Sequence, residues 1–319
     1  MDIGIDLGKR KSYVVMEEGG EVVKEGYTET SKEGFEEFFG GVVHANVVVE
    51  ASSSTNRVAA LLEGHNLTVA NPMKVKVIAQ SVKKTDKIDA HTLLDLYKKD
   101  YLPESWLPDR KTRDLRDLCR NRDFLVRQRT AVKNRIRYLM YIEGVEFGGF
   151  NRHTVSELKK YPMMDTLACQ LASLNRQIRE TDRQISSEVA HDPYAQILHT
   201  VPGIGEYSAL AISSEIGEIS RFENAPALSA YAGLVPRIRQ SGNREWKGRI
   251  IKGNTYLKTI LVECVQVHIR LCPCSFIASA YRRIRMKRGH NKAKIAAARR
   301  LLELIYYMLK RNEGYRTND

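Results

Sequence analysis

Ile3-Gly4-Ile5-Asp6-Leu7-Gly8 decides the fold: an apolar strand with a carboxylate set into it, running into a glycine turn. Outward from it, Tyr13-Val14-Val15-Met16 reads as a second strand and Val22 to Thr28 as a third, joined by Glu18-Gly19-Gly20. Ser31 is placed to cap a helix carrying Phe35, Phe38 and Phe39 at helical spacing. Val47-Val48-Val49-Glu50 is another buried strand, Arg57 to Leu62 a helix, and Leu67 to Ala70 a strand closed by Asn71-Pro72. A helix from Val75 through Tyr97 follows, and Pro103 ends the unit. That order predicts an α/β domain with a central mixed sheet over residues 1–107.

Residues 108–195 carry no strand signal. Leu115, Leu118, Leu125, Val132, Ile136 and Leu139 recur at threes, fours and sevens, as do Leu171, Leu174, Ile178 and Ile185. Two long amphipathic helices of coiled-coil character are predicted, either as an antiparallel hairpin in one chain or as a dimer contact. Residues 196–319 read as mainly helical. Val201-Pro202-Gly203-Ile204-Gly205 looks like the turn of a helix-hairpin-helix, in which Gly203 and Gly205 let backbone N–H groups approach a phosphate; tight helix packing explains them equally well.

With 43% hydrophobic and 28% charged residues, the 319-residue chain is a folded protein rather than a disordered one. No apolar stretch approaches the ~20 residues of a membrane span, and the N-terminus has no signal peptide, so a cytoplasmic, nucleoid-associated protein without a membrane partner is expected. Five cysteines at spacings that suit no zinc site read as reduced, mostly buried thiols. The formal net charge of +13 favours a polyanionic partner. The excess is concentrated. Residues 110–137, with Arg113, Arg116, Arg120, Arg127, Lys133 and Arg137, hold eleven basic residues against three acids. Residues 282–300, with Arg282, Arg283, Arg285, Lys287 and Arg288, hold nine and no acid. One-signed stretches of this kind are expected to contact nucleic-acid phosphates.

Asp6 sits within an apolar strand and Glu50 at the tip of another, where a carboxylate is costly unless paired or metal-bound. Asp86 and Asp89, three apart in Thr85-Asp86-Lys87-Ile88-Asp89-Ala90, fall on one face of a helix. Oxygen donors of this kind suit a pair of Mg²⁺ ions acting on a phosphodiester. Taken singly, each acid is also compatible with a turn or a solvated helix charge, and Asp-x-Gly after a first strand occurs in sugar-kinase and actin-like ATPases. As a set they suggest a ribonuclease-H-like sheet, the platform of RuvC-type resolvases and many transposases. In the C-terminal third, Gln240-Ser241-Gly242 lies in a polar loop with Arg237, Arg239, Arg244, Lys247 and Arg249, so Ser241 is either a turn residue or a nucleophile among cations.

The chain resembles the DEDD-type transposases of the IS-one-ten insertion-sequence family, which includes the Piv-type DNA invertases. The likeness rests on Gly4-Ile5-Asp6, Val49-Glu50-Ala51, Thr85 to Ala90, Pro202-Gly203-Ile204-Gly205, Glu215-Ile216-Gly217, Arg221-Phe222, Ala230 to Pro236 and Gln240-Ser241-Gly242. It implies a RuvC-like domain whose acids, here Asp6, Glu50, Asp86 and Asp89, bind Mg²⁺, two ions per site. It also implies a C-terminal domain whose serine, here Ser241, forms a covalent phosphoserine link to DNA. Further implications are composite sites shared between subunits of a dimer or tetramer, and a bridge RNA that pairs with donor and target DNA. Where relatives carry a basic run with a second serine, this chain has Ile250-Ile251-Lys252-Gly253-Asn254, leaving Lys252 for phosphate contact. Two other readings compete: a RuvC-like nuclease that cleaves branched DNA with water, and a nucleic-acid-binding protein that keeps only the fold.

Overall fold

The computed structural model describes residues 1–52, 54–78, 85–146, 148–150, 158, 161–241, 244–250 and 253–316; for 162–163, 237–241, 244–247 and 249–250 only the backbone is considered. It divides into two compact units, Met1–Leu107 and Pro108–Asp319.

The first unit is built on a five-stranded mixed sheet. Its strands are β1 (Asp2–Asp6), β2 (Lys11–Glu18), β3 (Glu21–Glu29), β4 (Asn46–Glu50) and β5 (Asn66–Ala70), in the order β3-β2-β1-β4-β5. The first three strands pair antiparallel, while β4 and β5 run parallel to β1. Alternation divides the faces. Ile3, Ile5, Val47 and Val49 pack with Phe35 and Phe39 of α1 (Lys32–Phe39) and Val58 of α2 (Thr55–Leu61). Ser31 caps α1 by accepting from the Gly34 N–H at 3.0 Å, as the sequence suggests.

The opposite face is covered by α4 (Asp86–Lys98), whose Ala90, Leu93 and Leu94 are buried there. The single helix expected from Val75 to Tyr97 is instead two, α3 (Pro72–Ile78) and α4, with residues 79–84 outside the described ones. Thr85 explains the new start, because its hydroxyl accepts from the Ile88 N–H at 3.3 Å and caps α4.

In the second unit, α5 (Arg110–Ile142) and α6 (Pro162–Val189) pack as an antiparallel hairpin. Val132, Ile136 and Met140 meet Met164, Ala168 and Leu171 at one end, and Arg122 pairs with Asp182 at 3.0 Å toward the other. Beyond that pair, Leu115, Cys119, Ile185 and Val189 join the core of the C-terminal helices. Those are α7 (Pro193–His199), α8 (Glu206–Ile216), α9 (Ala225–Tyr231), α10 (Thr255–Leu271), α11 (Phe276–Arg288) and α12 (His290–Arg311). Every residue of α8 from Ala209 to Ile216 is buried, as befits a helix surrounded by neighbours.

The polar segment expected from Pro236 to Gly253 holds a two-stranded ribbon, β6 (Pro236–Ser241) paired antiparallel with β7 (Arg244–Ile250). Among the described residues no single helix is long and apolar enough to cross a membrane. All five cysteines are free. Cys119 and Cys264 are buried, and burial pushes their thiols up to about 12 and about 11. Contrary to the expectation of mostly buried thiols, Cys169 and Cys274 are exposed.

Candidate functional site

The apolar run of β1 places Asp6 at its C-terminal end, and the parallel neighbour β4 ends on Glu50, one step beyond the Ile5–Val49 pair. Side chains alternate along a strand, so Asp6 lies on the side of Gly4 and Glu50 on the side of Val48. That is the side covered by α4: Val48 packs with Leu93, and a Cβ on Gly4 would stand 2.5 Å from the Ala90 carbonyl oxygen. Only glycine lets the helix lie so close to β1.

On α4, Asp86 and Asp89 occupy the first turn. Asp86 precedes Ala90 by four and Asp89 precedes Leu93 by four, on the stripe that faces the sheet. Sheet alternation and helix periodicity thus bring all four acids to one face at one end of the sheet. Among the described residues, no three Asp, Glu, His or Cys side chains stand close enough to hold a metal ion. The acids share a neighbourhood rather than a formed coordination shell, and their all-oxygen donor chemistry fits a hard divalent cation.

Sequence reasoning missed the side chains that hold this arrangement. Asp6 pairs across the ladder with Tyr13, and Tyr13 with Tyr27, whose ring it meets edge-on at 4.9 Å. The Tyr27 hydroxyl donates to Asp86 Oδ2 at 3.1 Å. That hydrogen bond, with desolvation and the nearby charges of Asp86 and Asp6, holds the Tyr27 phenol above its ordinary range. Glu25 on β3 accepts from Lys87 and meets His91 Nε2 at 2.8 Å; the two bonds hold its carboxyl below the usual range. Glu17 on β2 pairs with Lys98 at the far end of α4. The acidic helix is therefore tied to the β2–β3 ribbon at both ends.

In the second unit Ser241 closes the described part of β6, opposite Arg244. The side chains of Arg237, Arg239, Arg244, Lys247 and Arg249 on the ribbon are not described, and Lys252 lies outside the described residues. The ribbon's root is tightly held. A Cβ on Gly253 would stand 2.4 Å from the Gly233 nitrogen, and the Asn254 N–H donates to the Tyr231 carbonyl at 2.8 Å. Gly203, at φ +96°, lies against α10, where a Cβ would meet the His268 nitrogen at 2.7 Å. Close packing accounts for that glycine; Gly205 stands in open space at the start of α8.

The basic face of α5 is not uniform. Arg120 donates twice to Glu215 Oε1, at 3.0 and 2.6 Å, and Arg116 reaches the Ser214 and Glu215 carbonyls at 2.8 and 2.9 Å. Glu215 is fully buried, and its other oxygen accepts from Asn254 at 2.7 Å. Arg116 and Arg120 thus serve the unit's interior. Arg113 is half-buried, and Arg127 pairs with Asp123 at 2.5 Å. Lys133 and Arg137 each stand 5.0 Å from the Phe150 ring centre, and burial together with Arg129 and Arg137 lowers the Lys133 ammonium. Arg282, Arg283, Arg285, Lys287 and Arg288 on α11 are exposed.

Two family models match the chain. One, described as Transposase IS116/IS110/IS902 family, covers residues 195–281, and a DEDD-type IS110 transposase model covers residues 3–142. Over 288 residues the chain is 26% identical to a transposase for insertion sequence element IS1111A of Coxiella burnetii, a match covering 85% of this chain and 79% of that protein. It is 27% identical to a probable family 20 transposase of Pseudomonas aeruginosa, with 88% of each covered. It is also 27% identical to a pilin gene-inverting protein of Moraxella bovis, with 80% of this chain and 76% of that protein covered. With both halves matched and transposase relatives aligned over most of their length, the chain belongs to the IS116/IS110/IS902 transposase family, enzymes that cut and rejoin DNA.

Proposed function

We propose that this transposase cuts DNA with Ser241 as nucleophile and Asp6, Glu50, Asp86 and Asp89 as the holders of two Mg²⁺ ions. The observation that carries the reading is the arrival of four acids, 83 positions apart at the extremes (6 to 89), on one face at one end of a β3-β2-β1-β4-β5 sheet. That strand order, antiparallel then parallel, is the ribonuclease-H-like arrangement.

A metal pair held there would supply Lewis-acid stabilisation of the phosphate oxygens. The protein's own residues do the rest. Ser241 Oγ bonds to phosphorus, the bond from phosphorus to a deoxyribose oxygen breaks, and that oxygen takes up a proton. The serine proton passes to a carboxylate of the acidic group, since a hydroxyl is a weak nucleophile until a base takes its proton. Attack by the hydroxyl of a second DNA end reverses the step and rejoins the strands. The acids and the serine come from different subunits of a tetramer, and a bridge RNA selects the DNA sites by pairing, held by the basic face of α5.

Incubation with the element's bridge RNA, Mg²⁺ and labelled DNA, followed by denaturation, tests this. The wild type should carry protein-linked label, and Ser241→Ala should bind without acquiring any. Cleavage by Ser241→Ala at the wild-type rate would make water the nucleophile and the protein a RuvC-like nuclease in mechanism.

A further inference from the structure

Between α11, α12 and the root of the β6–β7 ribbon lies a cleft of about 820 Å³. Arg283, Lys287, Arg288, Lys292 and Arg299 line it, and no carboxylate does among the described residues. Arg299 is held by Glu303, one turn along α12, at 2.8 Å. The other four have no ion-pair partner among the described residues. An unneutralised row of cations on two facing helices is matched by a ligand with phosphates in series. The floor has a different character, because Val235, Ile284, Ile295 and Ala296 are apolar.

A duplex offers such a surface only its phosphates and sugars, with the base faces stacked inside. An unpaired strand offers both, phosphates to the rim and a base face to the floor. We infer that this cleft binds an unpaired segment of DNA, with phosphates against Arg283, Lys287, Arg288 and Lys292 and a base against the aliphatic floor. DNA is the favoured strand because Pro236 and Gly248 of the ribbon form one wall, so a strand lying here runs beside the element that ends in the Ser241–Arg244 pair. Among the described residues no aromatic ring lines the cleft, so the base lies against aliphatic surface. The inference rests on the DNA-cutting reading only for its choice of ligand.

The test is a binding measurement on the full chain, by fluorescence anisotropy. The two probes are an oligothymidylate and an oligonucleotide of equal length made of abasic sites, which keeps the phosphates and lacks the bases. The wild type should prefer oligothymidylate by about fivefold, the gain from covering about 40 Å² of base face with aliphatic surface. Ile295→Glu should abolish the preference. Ile284→Glu, on the facing helix, reads the same floor should Ile295→Glu lower the unfolding midpoint. Arg283→Gln with Lys292→Gln should flatten the slope of log affinity against log salt by about 1.4, at ~0.7 per phosphate contact on single strands. Equal wild-type binding of the two probes overturns the inference, and so does a preference that survives both floor variants. Equal weakening of duplex DNA and oligothymidylate by the floor variants would reduce the cleft to a backbone surface and also overturn it. All of these are affinities, so their failure is distinguishable from failure of the Ser241 adduct.

Discussion

Removing the buried Glu215 carboxylate should destabilise the second unit strongly. Glu215 has no exposed surface and neutralises Arg120 through two bonds to one oxygen, while its other oxygen holds Asn254. Asn254 in turn caps α10, accepting from the Leu257 N–H at 3.0 Å. Glu215→Ala leaves Arg116, 13% exposed, facing a cavity without its anion. Breaking a buried pair from one side costs about 3–5 kcal/mol. Arg120 is half-exposed and can turn to water, which places the expectation near the lower end, about 3 kcal/mol. For a unit spanning residues 108–319 that is a fall in Tm of roughly 6–12 °C. Scanning calorimetry and urea unfolding of the full chain measure it. The double variant Glu215→Ala with Arg120→Ala should recover part of the loss, with a coupling of about 1–3 kcal/mol. A loss below about 1 kcal/mol, or strictly additive single losses, would refute the view that this carboxylate organises the unit.

Asp89→Asn should slow strand cleavage roughly a thousandfold with DNA affinity unchanged, since a metal centre supplies several kcal/mol to the transition state; near-normal cleavage would remove Asp89 from the machinery. Tyr27→Phe frees Asp86 and should cost about 10–100-fold in cleavage while raising the Mg²⁺ concentration needed for half-maximal rate. If the rate falls with no change in Mg²⁺ requirement, Tyr27 does not act through Asp86. The Glu25 tie to α4 predicts a pH window. Glu25 lies below its ordinary 4.5, so its stabilisation is complete above 4.5 and is lost as pH falls through the lowered value. Lys87 lies above its ordinary 10.5, so its half is complete below 10.5 and is lost as pH rises through the raised value. Hydrogen exchange across α4, corrected for intrinsic rates, should accelerate on acidification below 4.5, and unchanged protection there would count against the tie.

The first unit was readable because its signals are local. Ile3 to Asp6 and Val47 to Glu50 announce buried strands by composition, and an acid in such a run is conspicuous for its cost of burial. Tyr27 and Glu25 could not be found that way. Their importance depends on the register of β3 against β2, which brings Tyr27 to an aspartate 59 positions away. The β6–β7 ribbon was read as a polar loop because charges fill its alternate positions and leave Ile238 and Trp246 as sparse apolar marks. The usable signal was Gly242-Asn243, two residues of hairpin-turn type between two alternating segments. On α5, charge counting treated Arg116 and Arg120 like Arg127, although the first two answer a buried acid almost a hundred residues away. Long-range electrostatic pairing leaves no local pattern.

The ribbon acts mechanically as a lever. A two-stranded sheet has little stiffness of its own, and Ser241 sits five strand steps from Pro236, about 16 Å out along β6. A tilt of about 10° at the base displaces the far end by about 3 Å over that length, and for the nucleophile proposed above a misplacement of only about 1 Å would already cost about a hundredfold in rate. The position of the far end of β6 is therefore set where Gly253 rests on Gly233 and Asn254 hangs from Tyr231. A single methyl group at Gly253, forced within 2.4 Å of the Gly233 nitrogen, would swing the tip without altering any residue near it.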